Sequence, residues 1–217
     1  MSDLTNEVAP AGAMATRELP LFPLQRTVFP GVTIPMRIFE QRYLRLVRES
    51  LATAKPFAVV PILSGREVGA TPLSGREVGA TPAIAERGTL VTIADWSQLP
   101  NGLLGIEVRG EQRLRVGATR VEADGLMRGE VMLDAPDQAV PLAGDDSDLV
   151  ALLGDLARHF GVEARYLNDS LDGITLAWRL ADLLPVALER KIALLGMADP
   201  LVRLIEVRSW VIELSHR

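Results

Sequence analysis

The chain has 217 residues, 48% of them hydrophobic and 24% charged, with a formal net charge of −5. It is long enough to bury a core and ordinary for a globular protein, which excludes a chain disordered throughout. The acidic balance argues against a general attraction to nucleic acid, and the absence of cysteine removes disulfides, thiolate metal sites and cysteine nucleophiles together.

Residues 1–17 are acidic near their start and lack an apolar run, so they read as a disordered tail and not as a secretory leader. No apolar stretch reaches the roughly 18 residues that span a bilayer. A cytoplasmic location without a membrane partner is expected. Glu18 to Tyr43, ELPLFPLQRTVFPGVTIPMRIFEQRY, sets Pro20, Pro23, Pro30 and Pro35 among strand-length apolar pieces. Proline has no N–H to give a ladder, so these positions mark strand starts, edges and turns. Pro30-Gly31 suits a type II turn, with glycine where a positive φ is needed. Directly after it, Phe39, Tyr43, Val47 and Leu51 recur every four residues, the stripe of an amphipathic helix. Phe39 and Tyr43 are expected to join that helix to the strands, and Phe39→Ala to cost about 3–5 kcal/mol if the ring is fully buried. Glu40 suits the positive end of the helix dipole.

LPLFPL, VFPG and IPMRIFEQRY, in this order and spacing, resemble the opening of the Lon N-terminal domain, the substrate-binding module of ATP-dependent Lon proteases, in its stand-alone bacterial form. Residues 57–134 continue as short β-branched runs: FAVVPI, TLVTIADW, LLGIEVRGE, QRLRVGATRVE and MRGEVMLD. Several short strands with one helix suggest a small, partly open barrel. The resemblance extends through RGTLVTI and LPNGLLGIEVRGEQRLRV, and it implies a PUA-like pseudo-barrel. Within this region LSGREVGATP occurs twice without change, at 63–72 and 73–82, and reads as a duplication tolerated in a surface loop.

From about Leu142 the period becomes helical. Leu149, Leu152, Leu153, Leu156 and Phe160 share one face, followed by ITLAWRLADLLP, VALERKIALLG and DPLVRLIEVRSWVIEL, the last with Asp199 as cap and Pro200 at its first position. The expected fold is therefore α+β: an N-terminal PUA-like pseudo-β-barrel with one helix over residues 18–134, a linker over 135–148, and a C-terminal all-helical subdomain over 149–217. The last three helices resemble those that follow the barrel in longer members of the same family.

Catalytic patterns are missing from the sequence. There is no GxxxxGK[ST] loop to cradle phosphate, and neither Lys55 nor Lys191 lies in a match to a serine–lysine protease motif. His159 and His216 lack metal-ligand spacing, and the acidic group Asp145, Asp146 and Asp148 reads as a solvated linker. No cofactor, metal or catalytic residue is expected. The arginine series Arg109, Arg113, Arg115, Arg120 and Arg128, interspersed with glutamates, reads as a mixed solvated face.

The resemblance implies a non-catalytic module that recognises unfolded or hydrophobic polypeptide. Phe22, Phe29 and Met36 are the expected contact residues, and Pro30, Gly31, Phe39, Glu40 and Tyr43 the structural ones. A separate protease and further copies of the chain are partners that the resemblance allows. An RNA-binding PUA-like protein, using the arginine series, and a peptidase in its own right are the alternatives.

Overall fold

The computed structural model describes residues 16–64, 82–167 and 171–216. Nearly all of the expected tail and most of the duplicated LSGREVGATP segment lie outside the described residues. The strands are β1 (Thr16–Leu24), β2 (Thr33–Ile38), β3 (Phe57–Ser64), β4 (Ala83–Ile84), β5 (Arg87–Gln98), β6 (Leu104–Val121) and β7 (Met127–Leu133), with α1 (Gln41–Thr53) between β2 and β3. A 3-10 turn at Gly144–Asp146 leads into α2 (Ser147–Phe160), α3 (Glu163–Tyr166), α4 (Gly173–Leu183), α5 (Leu188–Gly196) and α6 (Pro200–Ser215).

The strand order is β1-β7-β6-β5-β3-β4, and a parallel pairing of β1 with β3 closes β1, β7, β6, β5 and β3 into a ring. β2 lies outside that ring and pairs with β6. The prolines fit this topology. β1 pairs with β7 through Thr16–Leu21 and with β3 through Leu21–Leu24, so Pro20 and Pro23 flank the exchange, each with one strand neighbour. Pro35 sits in β2, where only β6 runs alongside among the described residues. A missing N–H costs no ladder bond at such places.

The Pro30-Gly31 turn forms as its residues dictate. Val32 N–H donates to the Phe29 carbonyl at 3.1 Å, and Gly31 has φ 74°. The turn then docks on β6: Gly31 N–H donates to the Gly110 carbonyl at 2.8 Å and Gly110 N–H to the Val32 carbonyl at 2.9 Å. A Cβ at Gly110 would stand 2.1 Å from the Phe29 oxygen, so the approach requires glycine. That glycine explains one difference from the sequence reading. LLGIEVRGE and QRLRVGATRVE are not two strands but the single 18-residue β6, because Gly110 marks a backbone contact and not a turn.

Two apolar clusters hold the fold. Leu21 packs with Ala58, Val60, Leu114 and Val131, while its neighbour Phe22 belongs to a larger cluster with Tyr43, Leu46, Phe57 and Val59. Adjacent strand residues face opposite sides, so β1 is buried on both around Leu21 and Phe22. The larger cluster continues through Leu153, Leu176, Trp178 and Trp210, which makes barrel and helices share one core. Each large side chain buried there contributes on the order of 1.5–3 kcal/mol.

Phe39 departs from expectation. α1 begins at Gln41 with Glu40 as N-cap, so Phe39 lies before the helix and its four-residue spacing to Tyr43 is not a helical one; its ring is 48% exposed. Tyr43 is buried and stacks on Phe22 with centroids 4.1 Å apart. Phe160 is also exposed, since α2 ends there, before Gly161 at φ 65° turns the chain away.

Candidate functional site

The three side chains expected to meet a client are in the core. Phe29 is fully buried and stacks on Trp178 with centroids 5.2 Å apart, Phe22 lies between Tyr43 and Phe57, and Met36 joins the same cluster. Barrel closure and helix packing cover both strand faces, so none of them reaches a partner from the surface. Pro30 and Gly31 build the turn, Tyr43 anchors α1, and Glu40 accepts a hydrogen bond from Arg42 Nε at 2.9 Å.

An open strand edge with an exposed aromatic side chain lies elsewhere on the barrel. β3 accompanies β5 only through Thr89–Val91, so from Thr92 to Gln98 β5 has β6 on one side and no strand on the other among the described residues. Trp96 stands on this stretch and is 59% exposed, whereas Trp178 and Trp210 are buried. The β5–β6 hairpin is closed by Gly102 at φ 79° and by a hydrogen bond from Leu99 N–H to the Leu103 carbonyl at 2.8 Å. An edge of this kind presents backbone donors and acceptors to another chain. It is guarded: a register shift lies between Ile93 and Asp95, and the Asp95 carboxylate accepts from Trp96 N–H at 2.8 Å. On the other side of β6, Pro35 in β2 removes a donor.

A second locus is the junction of barrel and helices. Arg113 is not part of a solvated face; it is buried, donating to Asp134 Oδ2 at 3.0 Å, Asp137 Oδ1 at 3.1 Å and the carbonyls of Leu195 and Met197 at 3.2 and 3.1 Å. Arg203, on α6, is fully buried, pairs with Asp137, donates to the Met197 carbonyl at 2.7 Å and lies over the Trp178 ring at 4.6 Å. Burial pushes the Arg203 guanidinium below its usual pKa, against the hydrogen bond and charge of Asp137. Asp146, expected in a solvated linker, is buried as well, accepting from Ala143 N–H at 2.8 Å and from Arg208 at 2.6 Å.

The segment Ala135–Asp137 runs between two clefts. One, of about 590 Å³, opens toward the start of α6; the other, of about 390 Å³, opens toward the start of α4 and the Pro30-Gly31 turn. Trp178 lines the smaller cleft, and its buried indole N–H has no acceptor among the described residues. Such a donor costs about 1–3 kcal/mol when unsatisfied.

Arg120 and Arg128 of that series do form ionic surface. Glu122 receives Arg45 and Arg128 and lies 3.7 Å from Arg120, which also binds Glu18 at 2.7 Å. Hydrogen bonds from Arg45 and then Arg128 hold the Glu122 carboxyl down at about 2. No group of His, Cys, Asp or Glu able to hold a metal occurs among the described residues, and no described helix is long and apolar enough to cross a membrane.

Comparison with known proteins agrees with this architecture. A solved Lon N-terminal domain protein from Xanthomonas campestris superposes with a TM-score of 0.68 at 34% identity, over 89% of this chain and 98% of that one. The N-terminal domain of Mycobacterium avium complex Lon protease superposes with a TM-score of 0.60 at 19% identity, over 89% and 97%, a likeness of fold. A LON peptidase N-terminal domain and RING finger protein of Schizosaccharomyces pombe is 27% identical over 91% of this chain, which spans 46% of that relative's length. The family model for the ATP-dependent protease La (LON) substrate-binding domain matches residues 18–212, and the chain belongs to that family.

Proposed function

We propose that the protein recognises extended, unfolded polypeptide without catalysis, by adding a client strand to the free edge of β5. The observation that carries this reading is the pairing of a strand edge, Thr92–Gln98, that no other strand covers among the described residues, with the exposed Trp96 upon it. Main-chain hydrogen bonds to an edge supply affinity that is tolerant of sequence, and an exposed indole adds apolar contact with a preference for large side chains. Family membership supports the same substrate class. The register shift and Asp95 must give way to an incoming strand, so affinity is modest.

Anisotropy of a labelled unfolded polypeptide, with its folded form as control, tests the reading. Saturable binding of the unfolded form alone, little changed between low and high salt, is expected. Binding that disappears at high salt would point to charge recognition, and equal binding of the folded form would remove the strand-addition mechanism.

A further inference from the structure

We infer that the client taken by the β5 edge is a segment in which large apolar residues alternate with polar ones, with a lysine or arginine placed opposite Asp95. This rests on the strand-addition reading above and adds the chemistry of the client to it.

The register of β5 carries the apolar half. Ile93 pairs with Val108 and Asp95 with Glu107, so Ala94 is an extra residue that β6 does not match. Strict alternation would set Trp96 on the face opposite Ile93, and the bulge returns it to the same face. There Trp96 lies beside Ile106, whose other neighbour is Met36; Ile106 and Met36 belong to the core, and Ile93 packs against it. Trp96 therefore carries the apolar inner face out to the open edge, where it stays 59% exposed. A strand added at this edge sets every second side chain against that face, which favours large apolar residues at alternate positions.

Asp95 carries the charged half. Leu99 N–H donates to the Leu103 carbonyl at 2.8 Å, and alternation from that pair turns the N–H and C=O of Trp96 away from β6, toward the open edge. The donor that a client carbonyl needs is thus the one the Asp95 carboxylate already holds, at 2.8 Å. Asp95 is also the only charged residue from Thr92 to Gln98. Its own N–H and C=O face β6, so the residue opposite it in an antiparallel client falls in a non-hydrogen-bonded pair, with Cα atoms about 4.5 Å apart and side chains close. A lysine or arginine there draws the carboxylate off the Trp96 N–H and frees that donor for the client backbone. A glutamate meets like charge and leaves the donor held. The other charges of this face stand farther off: Glu107, held by Arg165, and Arg109 are on β6, one strand away, and Arg37 is on β2, two strands away. Lys55 precedes β3, whose first residue pairs with Val91, and so lies toward the Thr92 end.

The test titrates the full chain into labelled ten-residue peptides without tryptophan, capped at both ends, followed by anisotropy. Leucine alternates with serine, and the central serine is replaced by lysine, glutamine or glutamate; a fourth peptide has the composition of the lysine one with its leucines in a single block. The lysine peptide binds about 2–5-fold more tightly than the glutamine one, and the glutamate and blocked peptides more weakly than either. High salt narrows the charge order while binding persists. Asp95→Ala abolishes the order and tightens the glutamine peptide, whereas Asp155→Asn, at an exposed carboxylate on α2, leaves the order in place. Saturable binding that Trp96→Phe weakens but that does not separate lysine from glutamate would overturn this inference and leave strand addition standing. A charge order that survives Asp95→Ala, or a blocked peptide equal to the alternating one, would do the same. Failure of all four peptides to bind would overturn strand addition, and this inference with it.

Discussion

Replacing Asp137 by asparagine isolates the charge that ties α6 to the barrel. Asp137 is the only carboxylate in ion-pair contact with Arg203 among the described residues, and the Arg203 side chain is 1% exposed. In Asp137→Asn the shape is kept, but Arg203 is left with the Met197 and Ala198 carbonyls and the face of Trp178. Arg113 keeps Asp134. Leaving one member of a buried pair without its counter-charge costs about 3–5 kcal/mol. With a urea slope of about 2–3 kcal/mol/M, the unfolding midpoint falls by about 1–2.5 M at unchanged slope. Adding Arg203→Met to Asp137→Asn removes the orphaned charge and recovers part of that loss, so the double-mutant cycle shows coupling of about 1 kcal/mol or more. A midpoint for Asp137→Asn within about 0.3 M of the parent would refute the reasoning, since a charge so buried cannot lose its partner cheaply.

Other substitutions separate core from surface. Phe22→Ala is expected to cost about 3–5 kcal/mol and Phe39→Ala no more than about 0.5, a contrast readable from urea midpoints and reversed if the ring at 39 were the anchor. Gly110→Ala places a methyl against the Phe29 carbonyl and should lower Tm by about 2–12 °C, from about 1–3 kcal/mol of overpacking; an unchanged melt would contradict the docking of the turn on β6. For Glu122 the folded pKa, about 2, lies below the unfolded one, so its stabilisation is present above about pH 4.5 and is lost as pH falls toward 2. The difference in midpoint between the parent and Glu122→Gln should therefore be visible at pH 7 and shrink by pH 2.5, and a difference that grows on acidification would reverse that sign.

What the sequence disclosed is what local chemistry decides. Pro30-Gly31 names its own turn, Asp199 and Pro200 name the start of α6, and the strand prolines sit where a strand has one neighbour. Burial of Phe22, Phe29 and Met36 follows instead from closure of β1 on β3 and from helices packed across the barrel, pairings distant in sequence. Arg113 looked like its neighbours in the strand because its partners Asp134, Asp137 and the α5 end arrive from later in the chain. Trp96 gave no signal, since TLVTIADW does not show that β3 stops accompanying β5 at Val91. The spacing of Phe39 and Tyr43 misled because a period of four counts only inside a helix, and the cap at Glu40 falls between them.

Among the three tryptophans only Trp96 is exposed, so its emission reports directly on the proposed edge. Titrating the protein with an unfolded polypeptide that lacks tryptophan should shift that emission to the blue and shield it from iodide, both saturably, with the shift absent in Trp96→Phe. Saturable binding seen by anisotropy while the Trp96 emission and its quenching stay unchanged would contradict recognition at the β5 edge.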